Sequence, residues 1–112
     1  MPIQHESLTT LVHDHLEKAV TATSGRSAHT IHGGHEHVLR QTLIALRGGS
    51  GLDEHESPGE ATLQVLHGQV TLVAGEESWN GSAGDLMTIP DARHSLDAIE
   101  DSVVLLTVAV LL

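Results

Sequence analysis

Cysteine is absent from the chain, as are phenylalanine and tyrosine, and Trp79 is the single aromatic residue. Without cysteine there is no disulfide framework, no thiolate metal site and no thiol nucleophile. Without aromatic bulk, Leu, Val, Ile and Ala must fill the core, and the β-branched members of that set suit strands. Bases are scarce too: 5 Lys and Arg stand against 15 Asp and Glu, a formal net charge of −10 with histidine neutral. Such a surface repels phosphate backbones and anionic lipid, which argues against nucleic acid and membranes as partners. The N-terminus MPIQHESLTT carries neither a basic leader nor an apolar signal core. The longest apolar stretch, Val103 to Leu112, is interrupted by Thr107 and is too short to cross a bilayer. The expectation is a cytoplasmic protein.

What is present fits one small globular domain. The chain has 112 residues, 39% of them hydrophobic, enough for a single core. Ten histidines make the charge sensitive to pH: if all protonate, the formal charge rises from −10 to 0, so solubility should fall in mild acid. Leu8, Leu11, Val12, Leu16, Ala19 and Val20 recur at helical spacing, with Ser7 as N-cap and Gly25 just past the end. His15 falls inside this stripe and His13 beside it; two residues apart on a helix, their side chains diverge and do not share a metal. Residues 1–25 are thus expected to form an N-terminal helix and residues 26–112 a β-domain.

From Arg26 onward, short apolar runs alternate with turn signals. Gly33-Gly34 suggests a hairpin turn, followed by a strand over His35–Arg47 that ends at Gly48-Gly49-Ser50-Gly51. Further strands are expected at Ala61–His67, Val70–Ala74, Ser78-Trp79, Leu86–Ile89 and Ser95–Ile99, then a final buried strand, with Asn80-Gly81 as one of the turns. Short strands at this spacing indicate a sandwich or closed barrel rather than βαβ units.

Two segments resemble the paired motifs of the cupin family. Gly49 is followed by five residues and His55; Ser57 stands at the family's second histidine position, Ala61 at its glutamate position, and Gly68 closes the motif. The run His55-Glu56-Ser57-Pro58 also resembles the family's His-x-His-Pro. In the second motif Gly84, five residues and Pro90 match, Ala92 replaces a glycine, and His94 arrives one residue early. The resemblance implies an all-β jelly-roll barrel, the cupin double-stranded β-helix, behind the short helix. It implies a pocket near Ser57, Ala61, Leu63 and Val65, with Gln41 reaching it from the strand face shared by His35 and His37.

Many cupins hold a divalent metal through two histidines and a glutamate of the first motif and a histidine of the second. Two of those four positions survive here, His55 and His94, which implies a weak site for one divalent ion (Zn, Fe, Mn or Ni), since tight sites usually need three protein ligands. Glu60 is the candidate third ligand. Strand alternation from Ala61 points it outward unless a bulge reverses the face. His35 or His37 is a second route to a replacement ligand, against the plainer expectation of a polar hairpin end facing water. His67 is expected at a turn, and His5 and His29 carry no motif. Asp53, Glu54, Glu56 and Glu60 read as a solvated charged loop, and Ser57 beside His55 lacks the oxyanion hole and orienting acid of a nucleophilic site.

Two functions follow. One is a metal-binding cupin whose open coordination positions take a small-molecule ligand, supporting isomerase, dioxygenase or decarboxylase-like chemistry. The other is a metal-free barrel acting as ligand binder, sensor or scaffold. By family resemblance the chain is expected to be a homodimer.

Overall fold

The computed structural model describes residues 3–57 and 59–110. Pro58 of the His55–Pro58 run, and Leu111-Leu112 at the end of the expected last strand, lie outside them.

Among the described residues one helix, α1 (Leu8–Thr21), precedes nine strands: β1 (Arg26–His32), β2 (Leu39–Leu46), β3 (Gly51–His55), β4 (Glu60–His67), β5 (Gln69–Ala74), β6 (Glu77–Ser82), β7 (Leu86–Thr88), β8 (His94–Ala98) and β9 (Ser102–Ala109). They form two sheets, ordered β1-β2-β9-β4-β7 and β3-β8-β5-β6. Every strand pair is antiparallel. The inner faces enclose an aliphatic core that includes Ile44, Leu46, Leu63, Val65, Val70, Leu72, Leu96 and Val104. Aliphatic side chains pack directly onto the β6 backbone: a Cβ on Gly81 would lie 2.9 Å from Met87 Cε and 3.1 Å from Val65 Cγ2. Gly81 therefore sits mid-strand in β6 rather than in the expected Asn80-Gly81 turn, and the strand is longer than Ser78-Trp79 alone.

The helix begins where its cap places it. Ser7 Oγ accepts from Thr10 N at 3.2 Å, satisfying one of the first-turn amides. Its apolar stripe (Leu11, Val12, Leu16, Ala19) covers Leu43, Ala45 and Val103 on the outer face of the larger sheet, a second core. No described helix is long and apolar enough to cross a membrane.

His15 belongs to this second interface, as the apolar stripe predicts. It is 8% exposed, and its Nδ1 lies 2.7 Å from Ser27 Oγ on β1. Its ring is 5.4 Å from that of His29, whose Nε2 meets Glu6 Oε1 at 2.7 Å. Burial, with Lys18 and His29 nearby, lowers the His15 pKa below the ordinary 6.5, outweighing the opposing pull of Asp14. The folded state thus favours neutral His15, and the unfolded chain binds its proton more readily. Stability from this group is present in full above about pH 6.5 and is lost as the pH falls towards the folded value. Chemical denaturation between pH 7.5 and 5 should show this loss, and His15→Gln should reduce the pH dependence; an unchanged slope would contradict it.

Candidate functional site

The two motif histidines come together. His55 ends β3, His94 opens β8, and they are direct partners across that strand pair. Their ring centroids are 4.4 Å apart with an interplanar angle of 62°. His94 is 3% exposed and shares the inward face with Leu96 and Ala98. His55 stands beside it at the rim, open to solvent.

A bulge makes this possible. Leu52 pairs with Leu96 and His55 with His94, so three steps along β3 match two along β8. Strict alternation from inward Leu52 would turn His55 away; the one-residue shift returns it to the face of His94. This bulge lies within β3, one strand before the position at Glu60 where a reversal of face would have been needed. Of the charged segment expected as a loop, Asp53 and Glu54 thus lie in an edge strand, while Glu56 follows it and Glu60 opens β4. Arg93, beside His94, reaches across to Glu54 Oε1 at 3.2 Å and Glu56 Oε1 at 3.0 Å, tying the charged run to β8. Hydrogen bonds to Glu56 and then Glu54 raise the Arg93 pKa and keep the cation charged.

The ring nitrogens are asymmetrically used. His55 Nδ1 lies 2.8 Å from Asp53 O, and His94 Nδ1 lies 2.8 Å from Ala92 O. A carbonyl oxygen only accepts, so each Nδ1 carries the proton and donates it. In its neutral form each imidazole then keeps the Nε2 lone pair for another partner. Backbone carbonyls fix tautomer and orientation in this way at metal-bound histidines generally. These anchoring carbonyls belong to the backbone, so motif reading had no signal with which to find them.

The other expected residues are placed differently. Glu60 begins β4 on the exposed side of its alternation, while Ala61, Leu63 and Val65 face inward. Among the described residues, no third His, Asp or Glu joins His55 and His94 in a cluster with all ligand atoms within 4.8 Å. The described cluster meeting that distance is His13, Asp14 and Glu17, exposed on α1. Ser57 donates its hydroxyl to Gly59 O at 2.9 Å within the β3–β4 connection. Leu63 and Val65, 2% and 0% exposed, are packed into the aliphatic core rather than lining an open pocket.

Gln41 is a correction. Ile44 and Leu46 face the barrel core and Leu43 and Ala45 face α1, so alternation puts Gln41 on the outer side. There its Nε2 lies 3.3 Å from Thr107 Oγ1, in a groove with His5, His32 and Leu105. The expected strand over His35–Arg47 is also shorter. It starts at Leu39, leaving His35 and His37 in the turn, because His37 N bonds Gly34 O at 3.1 Å and closes the chain there.

A separate cleft of about 500 Å³ lies between edge strands β6 and β7, where Trp79, Leu72, Met87 and Pro90 form an apolar wall. The sequence reading singled out Trp79 only as the lone aromatic.

No family model and no curated protein matches the sequence. Solved structures do. A conserved protein of unknown function from Streptococcus pyogenes is 23% identical, with a TM-score of 0.75 over 98% of this chain and 92% of that one. A cupin superfamily protein from Desulfitobacterium hafniense has the same TM-score at 13% identity, covering 98% and 94%. A salicylate 1,2-dioxygenase from Pseudoaminobacter salicylatoxidans, in complex with gentisate, reaches 0.73 at 18% identity, covering 89% of this chain and 32% of that one. Two facing antiparallel sheets in this strand order, closed over an aliphatic core and matched by these structures, give the chain the cupin fold.

Proposed function

We propose that the barrel mouth binds a divalent metal ion weakly through His55 Nε2 and His94 Nε2, and that a small polar ligand completes its coordination. The observation that carries this is the shared use of Nδ1: both protons are spent on backbone carbonyls, which leaves two free lone pairs on adjacent rings. Two imidazoles bonded to one ion at about 2.0–2.1 Å hold their ring centroids roughly 4.5–5.2 Å apart. The 4.4 Å separation is close to that range.

Two donors fit a weak site better than a tight one, which usually needs three. An ion held there supplies Lewis acidity to a ligand oxygen. The chain's own part is to hold both rings in one tautomer, to shield the His94 side of the site from water, and to leave the His55 side open for ligand entry. A neighbour in fold space is a dioxygenase in complex with gentisate, which is in keeping with a small-molecule ligand for this fold.

The missing third ligand favours a second reading, a metal-free pocket in which the two imidazoles hydrogen-bond a ligand directly. Equilibrium dialysis of tag-free protein against Zn²⁺ and Mn²⁺ separates the two. His55→Ala and His94→Ala should each lower affinity at the mouth by at least about tenfold, the scale on which even outer-shell partners act. Metal uptake identical in wild type and both variants would remove the metal reading and leave the second.

A further inference from the structure

A second pair of touching imidazoles lies on the β1–β2 hairpin. His32 ends β1 and His37 lies in the turn, and their ring centroids are 4.6 Å apart with an interplanar angle of 67°. His37 Nδ1 is buried and has no hydrogen-bond partner among the described residues. The nearest charged group is Glu36, with Oε1 3.7 Å away, beyond hydrogen-bond length. In the tautomer protonated at Nε2, this sheltered nitrogen carries a lone pair that nothing described engages.

We propose that this turn is a further divalent-metal site, in which His37 Nδ1, Glu36 and His32 take up a borderline-soft ion such as Zn²⁺ or Ni²⁺. Imidazole suits both ions, and a carboxylate completes many such sites. A nitrogen and an oxygen 3.7 Å apart can both reach one ion at about 2.0–2.2 Å. As the turn stands, the ligand atoms of His32, Glu36 and His37 do not all lie within 4.8 Å of one another, so His37 and Glu36 make the first contact and the neighbouring ring of His32 must rotate to add a third donor.

The turn is built to hold His37. Its amide bonds Gly34 O at 3.1 Å, and its carbonyl accepts from Arg40 Nε at 3.1 Å, so the backbone is gripped on both sides. Gly33 and Gly34 adopt φ of 151° and 142°, backbone that side chains disfavour, and this brings residue 37 back over residue 32. The ring of His37 remains partly open to solvent, giving an ion a way in. The chain's net charge of −10 favours the approach of a cation. This site shares no residue with the mouth histidines and stands whether or not they bind metal.

The test is long-range ¹H–¹⁵N spectroscopy of the full chain labelled at histidine, titrated with Zn²⁺. The His37 Nδ1 and His32 ring signals should shift and saturate, and should do so equally in the His55→Ala/His94→Ala double variant. Glu36→Gln should weaken the response at the turn while the His55 and His94 signals behave as in the wild type. His32→Ala with His37→Ala should take up one ion fewer per chain in dialysis. Ring signals of His32 and His37 that stay fixed at excess zinc overturn the proposal, as does undiminished uptake by that second double variant. Responses at His13 alone would assign the zinc to the exposed α1 cluster, which also overturns it.

Discussion

Gly68→Ala should destabilise the protein by about 2–4 kcal/mol, lowering its thermal midpoint by roughly 8–16 °C. Gly68 turns β4 into β5 at φ +84°, backbone that costs an L-residue about 1–2 kcal/mol. There is also no room: an added Cβ would collide with Asp101 O and Ser102 Oγ and lie 2.8 Å from Ser102 Cα. These neighbours are backbone or fixed, because Ser102 is fully buried. Its hydroxyl accepts from Gln69 N at 3.1 Å and lies within bonding distance of the carbonyls of Gln69 and Glu100, so the turn is locked onto the start of β9. Gly75 is the internal comparison. Its φ is +61°, yet nothing lies within 4 Å of its would-be Cβ. Gly75→Ala should therefore cost only the conformational part, about 1 kcal/mol. Urea denaturation of both variants measures the difference, and equal effects would show that crowding at Gly68 is not what requires glycine there.

Removal of residues 1–25 should convert the chain into a self-associating or poorly soluble species. The outer face of the larger sheet is apolar where α1 lies on it: Leu43, Ala45 and Val103 are fully buried there, with Ile31 and Leu66 at the margin. Contiguous apolar patches of this kind drive association when uncovered. The truncation also removes Val20 O and Ala22 O, which accept from Arg47 Nη1 at 3.2 and 3.0 Å, and leaves Ser27 and His29 without His15 and Glu6. Sedimentation velocity of the full and truncated chains measures this. A truncated chain that sediments as the full chain does, scaled for its mass, would show that the helix is not a necessary cover.

Much of this architecture was legible because its signals are local. Ser7 and the apolar stripe marked α1, and the glycine and proline spacings around His55 and His94 pointed to the barrel. Alternation in β4 put Ala61, Leu63 and Val65 inward and Glu60 outward, as observed. The misreadings have non-local causes. Gln41 was assigned to the pocket because alternation cannot tell inside from outside when both faces of a strand are covered. In β2 the run Leu43, Ile44, Ala45 and Leu46 is buried throughout, two residues against the barrel core and two against α1. β3 was missed because GLDEH is polar: an edge strand buried on little of its surface needs few apolar residues.

The site was half legible for a related reason. Motif spacing identified the two histidines but not what turns them towards each other. That depends on an extra residue in β3 between Leu52 and His55, and a bulge of this kind leaves no mark in so short and polar a strand. The carbonyls of Asp53 and Ala92 that fix the tautomers belong to every residue type alike. The ion pairs of Arg93 with Glu54 and Glu56 depend on the β3–β8 pairing, which brings the charged run beside the residue that precedes β8.

The most direct test of the mouth site is anomalous scattering at the zinc edge from crystals grown with Zn²⁺. A peak is expected within about 2.0–2.1 Å of both His55 Nε2 and His94 Nε2, with each Nδ1 still bonded to its backbone carbonyl. A map with no peak between the two rings, or with zinc on an Nδ1 whose carbonyl bond has broken, would contradict it.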